Sequence, residues 1–273
     1  MATDNPTIDN HMPPSWWGDF KLDNEQSRLW QIGPLTLIVR CLSGEWQIAH
    51  ERKGNVVDNE SVWETRDTDQ LPEALDKYSR YIFQKTTGLL NIAPLLPDRP
   101  IVSRPHTPFY LSAGEEVTVY VSSPLWLQLM VGSPARELES IAIQRPSDTW
   151  FGPSTLEGEL CYATTTHCRI NLEDIPIRQH RAITPVFICN QADTTLAVER
   201  LNVPAPFLPL YTSSSGQLWS PKVTLIREKD GDMAKLKIDN RPPAEAKHAV
   251  QLGNPRKIAD SSVLFRAFNA VFS

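Results

Sequence analysis

Glycine is scarce in this chain, at 12 of 273 residues, and none of it is gathered into a phosphate-binding loop. Neither the P-loop nor the dinucleotide fingerprint occurs, so the Gly-rich nucleotide cradles are excluded and no cofactor is expected. The nucleophile elbow G-x-S-x-G and the H-E-x-x-H pair are missing too, which removes the easily recognised serine hydrolases and zinc peptidases. No apolar run approaches the roughly 18 residues that cross a bilayer, so the chain is expected not to be membrane-embedded. The opening residues MATDNPTIDNHMPPS carry neither a basic stretch nor an apolar core, and no secretory signal is expected. Four cysteines without any C-x-x-C read as reduced thiols, with the cytoplasm as the expected compartment. No repeat at solenoid or propeller periods is visible.

What is present is globular. Hydrophobic residues make up 41% and charged ones 22%, well outside the disordered class, and the length suffices for a substantial core. A net charge of −5 argues against nucleic acid as a partner. The charge is uneven: from Arg241 onward five basic residues face Glu245 and Asp260, a net of +3, which leaves −8 on the rest.

The 23 prolines punctuate the chain too often for long helices. Between them, alternation is clear. In VTVYVS, Val117, Val119 and Val121 share a face; after Pro124, Leu125, Leu127, Leu129 and Val131 do the same. Leu35–Arg40 and Glu45–His50 flank Ser43-Gly44, and Lys222–Glu228 and Met233–Asp239 flank Lys229-Asp230-Gly231, both hairpin signals. The expected fold is all-β: an antiparallel, β-sandwich-like architecture of one or two lobes, 15–96 and 97–239. Residues 240–273 are expected to form a linker and a short amphipathic helix over Asp260–Phe272, with Leu264, Phe268, Val271 and Phe272 on one stripe. That helix would dock on the acidic body or support a homodimer.

Polar and aromatic groups concentrate in RPSDTWFGPSTLEGEL, between two strand-like runs, where a loop can present what a packed strand hides. Arg145, Asp148, Trp150, Phe151 and Glu159 are the candidate binding residues. Arg145 and Asp148, three apart, favour an internal ion-pair staple over an anion clamp. Asp148, Glu157 and Glu159 could supply the two carboxylates of a glycosidase, but alternating Glu residues more often line the wet side of an edge strand. No catalytic residue is assigned. Cys161, His167, Cys168, His180 and Cys189 offer zinc-type donors, yet the odd offset between Cys161 and Cys168 puts them on opposite strand faces, so no metal is expected. Trp30, Trp46, Trp126 and Trp219 sit in strand-like runs and are expected in the core; Trp16-Trp17 and Trp150-Phe151 look placed for exposure.

These pieces resemble an uncharacterised prokaryotic family, the domain of unknown function number four hundred and thirty-two. The resemblance rests on Trp17-Gly18 leading to Trp30, Ile32-Gly33-Pro34-Leu35, Glu45-Trp46, Arg104-Pro105 and Ser123-Pro124-Leu125-Trp126. It rests above all on Arg145-Pro146-Ser147-Asp148-Thr149-Trp150-Phe151-Gly152 with Gly158-Glu159-Leu160-Cys161-Tyr162. It covers about 16–239 and fades over 240–273. It carries no activity; the occurrence of similar proteins beside mechanosensitive-type channels implies a soluble partner of a membrane protein. The expected function is a non-enzymatic binding or regulatory protein for an unidentified protein or small ligand. The alternative is a carbohydrate-active or hydrolytic β-sandwich protein using Asp148, Glu157 and Glu159.

Overall fold

A computed structural model describes residues 15–52, 63–228, 234–258, 264–265 and 267. Strands dominate, and the helical turns among the described residues are three-residue 3₁₀ pieces. The N-terminal part forms an antiparallel sheet in the order Trp63–Asp67, Ser27–Ile32, Leu35–Leu42, Glu45–Arg52, Lys77–Ile82. Its central pair is the expected hairpin, with Leu42 opposite Glu45 across Ser43-Gly44. Alternation decides what each face meets. Leu35, Leu37 and Val39 enter the main core, whereas Ile38 and Leu29 pack under Leu75 and Tyr78. The 3₁₀ turn Pro72–Ala74 carries Leu75 onto that second face, so the run LTLIV is buried throughout because both sides are covered.

A second sheet runs Gly18–Lys21, Leu89–Leu95, Trp126–Val131, Arg136–Ala142, drawing strands from both sides of Leu96. A third, the largest, is built on Arg181–Asn190. The full length of Glu116–Pro124 pairs along one side of it. On the other side the neighbour changes, from Leu218–Trp219 at Ala182 and Ile183 to Val223–Arg227 from Val186 onward. Pro185 sits in the gap between those two neighbours, where its missing N–H interrupts no ladder on that side. The strand therefore runs unbroken through a proline, from Arg181 to Asn190. Both neighbours on that side are parallel, as is the pairing of Glu159–Ala163 with Ile101–Ser103, so the sheets are antiparallel in the main but not throughout. Glu116–Pro124 and Trp126–Val131, consecutive in sequence, part at Leu125 into different sheets.

Trp30, Trp46 and Trp126 lie in one continuous core with Leu90, Ile92, Leu127, Val121 and Val186, and Trp219 is buried in a smaller cluster. Two expected exposures are corrected: Trp16 and Phe151 are fully buried. Trp16 docks its indole N–H on the Gln179 carbonyl at 3.0 Å.

The C-terminal segment is the main correction. Leu264–Phe265, inside the expected helix, is a strand antiparallel to Ala234–Ile238. Ala267 is buried and its carbonyl accepts the Asn202 N–H at 3.0 Å; the other residues of the expected helix lie outside the described ones. A short isolated helix is marginal in water, while an open sheet edge offers a row of unpaired backbone groups. The segment takes the edge, and the proposed helix-borne dimer contact loses its helix. Nor is 240–254 a free linker. Val250–Gly253 pairs with Leu210–Thr212, and Glu245 accepts the Tyr120 hydroxyl at 2.9 Å. The Asp-Gly hairpin pairs as expected, Arg227 opposite Ala234, with its turn outside the described residues.

Candidate functional site

The run singled out by the sequence folds as a hairpin, Ser147–Phe151 against Glu159–Ala163, in the register Asp148 to Tyr162, Trp150 to Leu160 and Phe151 to Glu159. Its tip is tight. A Cβ on Gly152 would run into the Glu157 carbonyl, and one on Gly158 would lie 2.6 Å from the Phe151 carbonyl and 2.8 Å from the Trp150 ring. Only glycine permits that approach. Ser154 completes the tip, its hydroxyl accepting the N–H groups of Leu156 and Glu157 and its carbonyl accepting the Trp150 indole N–H at 2.7 Å.

Because successive strand residues face opposite ways, the register divides the four candidate residues that lie on the strands. Asp148 and Trp150 share the outward face with Leu160 and Tyr162; Phe151 and Glu159 lie on the other. On the outward face Arg145 grips Asp148 through Nη2, at 3.0 and 3.1 Å to the two carboxylate oxygens, the staple its spacing favours. Arg99 adds a second donor to the same Oδ1 at 3.1 Å. Both guanidinium groups lie over the Tyr162 ring, 5.2 and 5.6 Å from its centroid, a cation–π arrangement that orients them. Tyr162 donates its hydroxyl to Asp98 at 3.0 Å and packs on Trp126. Burial first, then that acceptor, raises its phenol pKa. The Asp148 carboxylate raises that of Arg145, so the cation stays charged at any working pH.

Beside this fixed lattice lies exposed apolar surface. Trp150 is 42%, Leu160 46% and Leu156 93% exposed. The inward face is different in kind. Phe151 and Cys161 pack on Val102, Arg200 covers the Phe151 ring at 5.4 Å, and Asn202 donates to the Glu159 carboxylate at 2.8 Å. Phe151 and Glu159 thus hold the hairpin to the strands beneath it. Glu157 is in the turn, so the alternating pair expected with Glu159 does not form on one strand, and Asp148 looks away from both.

Arg99, Tyr162 and Leu160 belong to this face without any sequence signal that marks them as binding residues. Leu160 and Tyr162 entered only as members of the motif Gly158–Tyr162; the pairing of Tyr162 with Asp148 follows from register. The cysteines lie apart, Cys161 against Phe151 and Cys168 in the main core. Burial pushes their thiols up to about 12 and about 11, the behaviour of packing groups rather than nucleophiles. Among the described residues no three His, Cys, Asp or Glu side chains gather as a metal-binding group, and no helix is long and apolar enough to cross a membrane.

Neither the curated proteins nor the solved structures contain a match to this chain. The family model described as protein of unknown function (DUF432) matches residues 16–273, including the C-terminal stretch where the motif resemblance faded. With its hairpin motif and its whole strand-rich body inside that match, the chain belongs to the DUF432 family.

Proposed function

We propose that this protein is a non-enzymatic binding or regulatory protein that recognises a protein partner through the outward face of the hairpin Ser147–Ala163. The observation that carries this is the pairing of exposed Trp150, Leu160 and Leu156 with two arginines already held in place by Asp148 and Tyr162. Trp and Arg anchors dominate binding energy at protein interfaces, and exposed apolar patches with polar rims mark such contacts. Pre-ordered cations lose less side-chain freedom on binding. In its narrower form, the partner is the cytoplasmic part of a membrane channel, as the family resemblance implies.

Under the same reading the sheets pack as a β-sandwich-like body. One lobe is favoured over two, because the second sheet joins strands from both sides of Leu96 and one apolar cluster draws on all the larger sheets. The hydrolytic alternative requires two carboxylates about 5 to 10 Å apart around a cleft. Here Asp148 is committed to two arginines and Glu159 to Asn202, on opposite faces.

Capture from detergent-solubilised membranes and from cytosol tests the proposal, using the intact protein alongside Trp150→Ser and Leu160→Ser. A single captured protein should be lost in both variants and kept in Tyr110→Ser, which alters an exposed aromatic elsewhere. Identical capture by all four removes the hairpin as the recognition surface. A captured protein without membrane segments removes the channel.

A further inference from the structure

Behind the strand Leu218–Trp219 lies a small apolar cluster, apart from the main core, made of Ile175, Ile183, Tyr211, Trp219 and Ala246. It is not filled. A cavity of about 350 Å³ opens within it, walled by Ile175, Ile183, Ser213, Ser215, Gln217 and Trp219. The cavity opens to solvent past Glu173, Ile177 and Lys247, and pockets from about 300 Å³ upward are the ordinary size for small-molecule sites. A larger cleft, about 540 Å³, lies between residues 82–87 and 131–136, but it is walled mostly by exposed turn residues.

The polar chemistry of the smaller cavity is incomplete. Gln217 is 6% exposed and Trp219 5%. Gln217 donates its amide N–H groups to the carbonyls of Leu218 and Arg181 at 3.0 and 3.4 Å, which leaves its Oε1 as the free end. That buried acceptor and the buried indole N–H of Trp219 both lack a partner. Both residues line the one cavity, with the two polar atoms just beneath its surface, and two such orphans are costly unless something satisfies them. The neighbouring hydroxyls of Ser213 and Ser215 are bonded to each other at 2.9 Å. At the mouth, Glu245 is held by Tyr120, and Lys247 and Glu173 bring opposite charges.

We infer that this cavity is a binding site for a compact, neutral molecule with an apolar ring body and one polar end able both to donate and to accept a hydrogen bond, such as an aromatic alcohol. The ring lies against Ile175, Ile183 and the Trp219 face. The polar end donates to Gln217 Oε1 and accepts from Trp219 Nε1, which small side-chain adjustments bring into reach. At the mouth Glu173 and Glu245 outnumber Lys247, a net of −1 that disfavours an anionic ligand. The site is separate from the hairpin surface and stands or falls without it.

Calorimetric titration of the full chain with 2-naphthol and with 2-methylnaphthalene, equal in shape, tests the assignment. Saturable one-site binding of 2-naphthol is expected, about three- to tenfold tighter than its methyl counterpart, the value of a hydrogen bond or so. Trp219→Phe should remove most of that difference and, because it also takes away part of the wall against the ring, weaken 2-methylnaphthalene, and Ser215→Trp, at an exposed edge of the wall, should weaken both. If Trp219→Phe does not fold, Gln217→Met replaces it and should remove the same preference for 2-naphthol. Absence of saturable 2-naphthol binding overturns the site. Equal affinity for the two probes, with neither variant altering the preference, overturns the ligand class.

Discussion

His180 is packed on Gly33 so closely that a Cβ there would lie 3.0 Å from the imidazole. Burial first, then the Arg181 and Arg178 charges, pushes its pKa from 6.5 down to about 4. The folded state therefore resists protonation that the unfolded chain accepts. Stability from this group is whole above pH 6.5 and is lost as pH falls towards 4, on the order of 3 kcal/mol for this largely buried ring. His180→Gln should flatten that limb of the melting temperature against pH. Glu45 acts in a lower window. Arg80 binds it at 2.5 and 2.7 Å, with Gln47 assisting, and holds its carboxyl near 2 instead of 4.5. Its contribution is present above pH 4.5 and fades towards 2, and Arg80→Gln should remove that second limb. On the hairpin the two faces predict opposite outcomes. Phe151→Ala empties a fully buried site and should cost about 3 to 5 kcal/mol in urea unfolding. Asp148→Ala breaks an exposed ion pair and should cost under about 1 kcal/mol, while releasing Arg99 and Arg145 and weakening partner capture.

At the scale of elements, the C-terminal stretch is structural. Val250–Gly253 closes one end of the largest sheet and Leu264–Phe265 the other, and Ala246 and Ala267 are buried. Truncation after Asp239 strips both edges and exposes the strands Leu210–Thr212 and Ala234–Ile238. A clear drop in melting temperature is expected, with aggregation on warming, because open edges recruit other strands. A stable, monomeric truncated protein with an unchanged melting temperature would contradict this assignment.

For the whole molecule, the strand-rich architecture of the described residues requires a far-ultraviolet circular dichroism spectrum with a helical share far below the ordinary third. Many pairings join distant residues, as between Glu116–Pro124 and Arg181–Asn190 or Gly18–Lys21 and Leu89–Leu95. Folding should accordingly be slow for the chain's size, in the range of proteins dominated by non-local contacts.

Local chemistry sufficed for some of this. Period-2 alternation located the strands, Ser43-Gly44 and Asp230-Gly231 marked two hairpins, and strand context placed Trp30, Trp46, Trp126 and Trp219 inside. The three-residue spacing of Arg145 and Asp148 indicated their ion pair. Each of these depends on residues adjacent in sequence. Register does not, and register alone divided Asp148 and Trp150 from Phe151 and Glu159, burying Phe151 and pairing Asp148 with Tyr162. The apolar stripe of 260–272 fits a helix by periodicity, but at Leu264–Phe265 an open edge on Ala234–Ile238 selected a strand. The cavity beside Trp219 was equally beyond sequence, since Ile175, Ser213, Gln217 and Glu245 meet only after the strands have paired. A strand's sequence states which side of it is apolar; which strand lies beside it is decided by the packing of the entire chain.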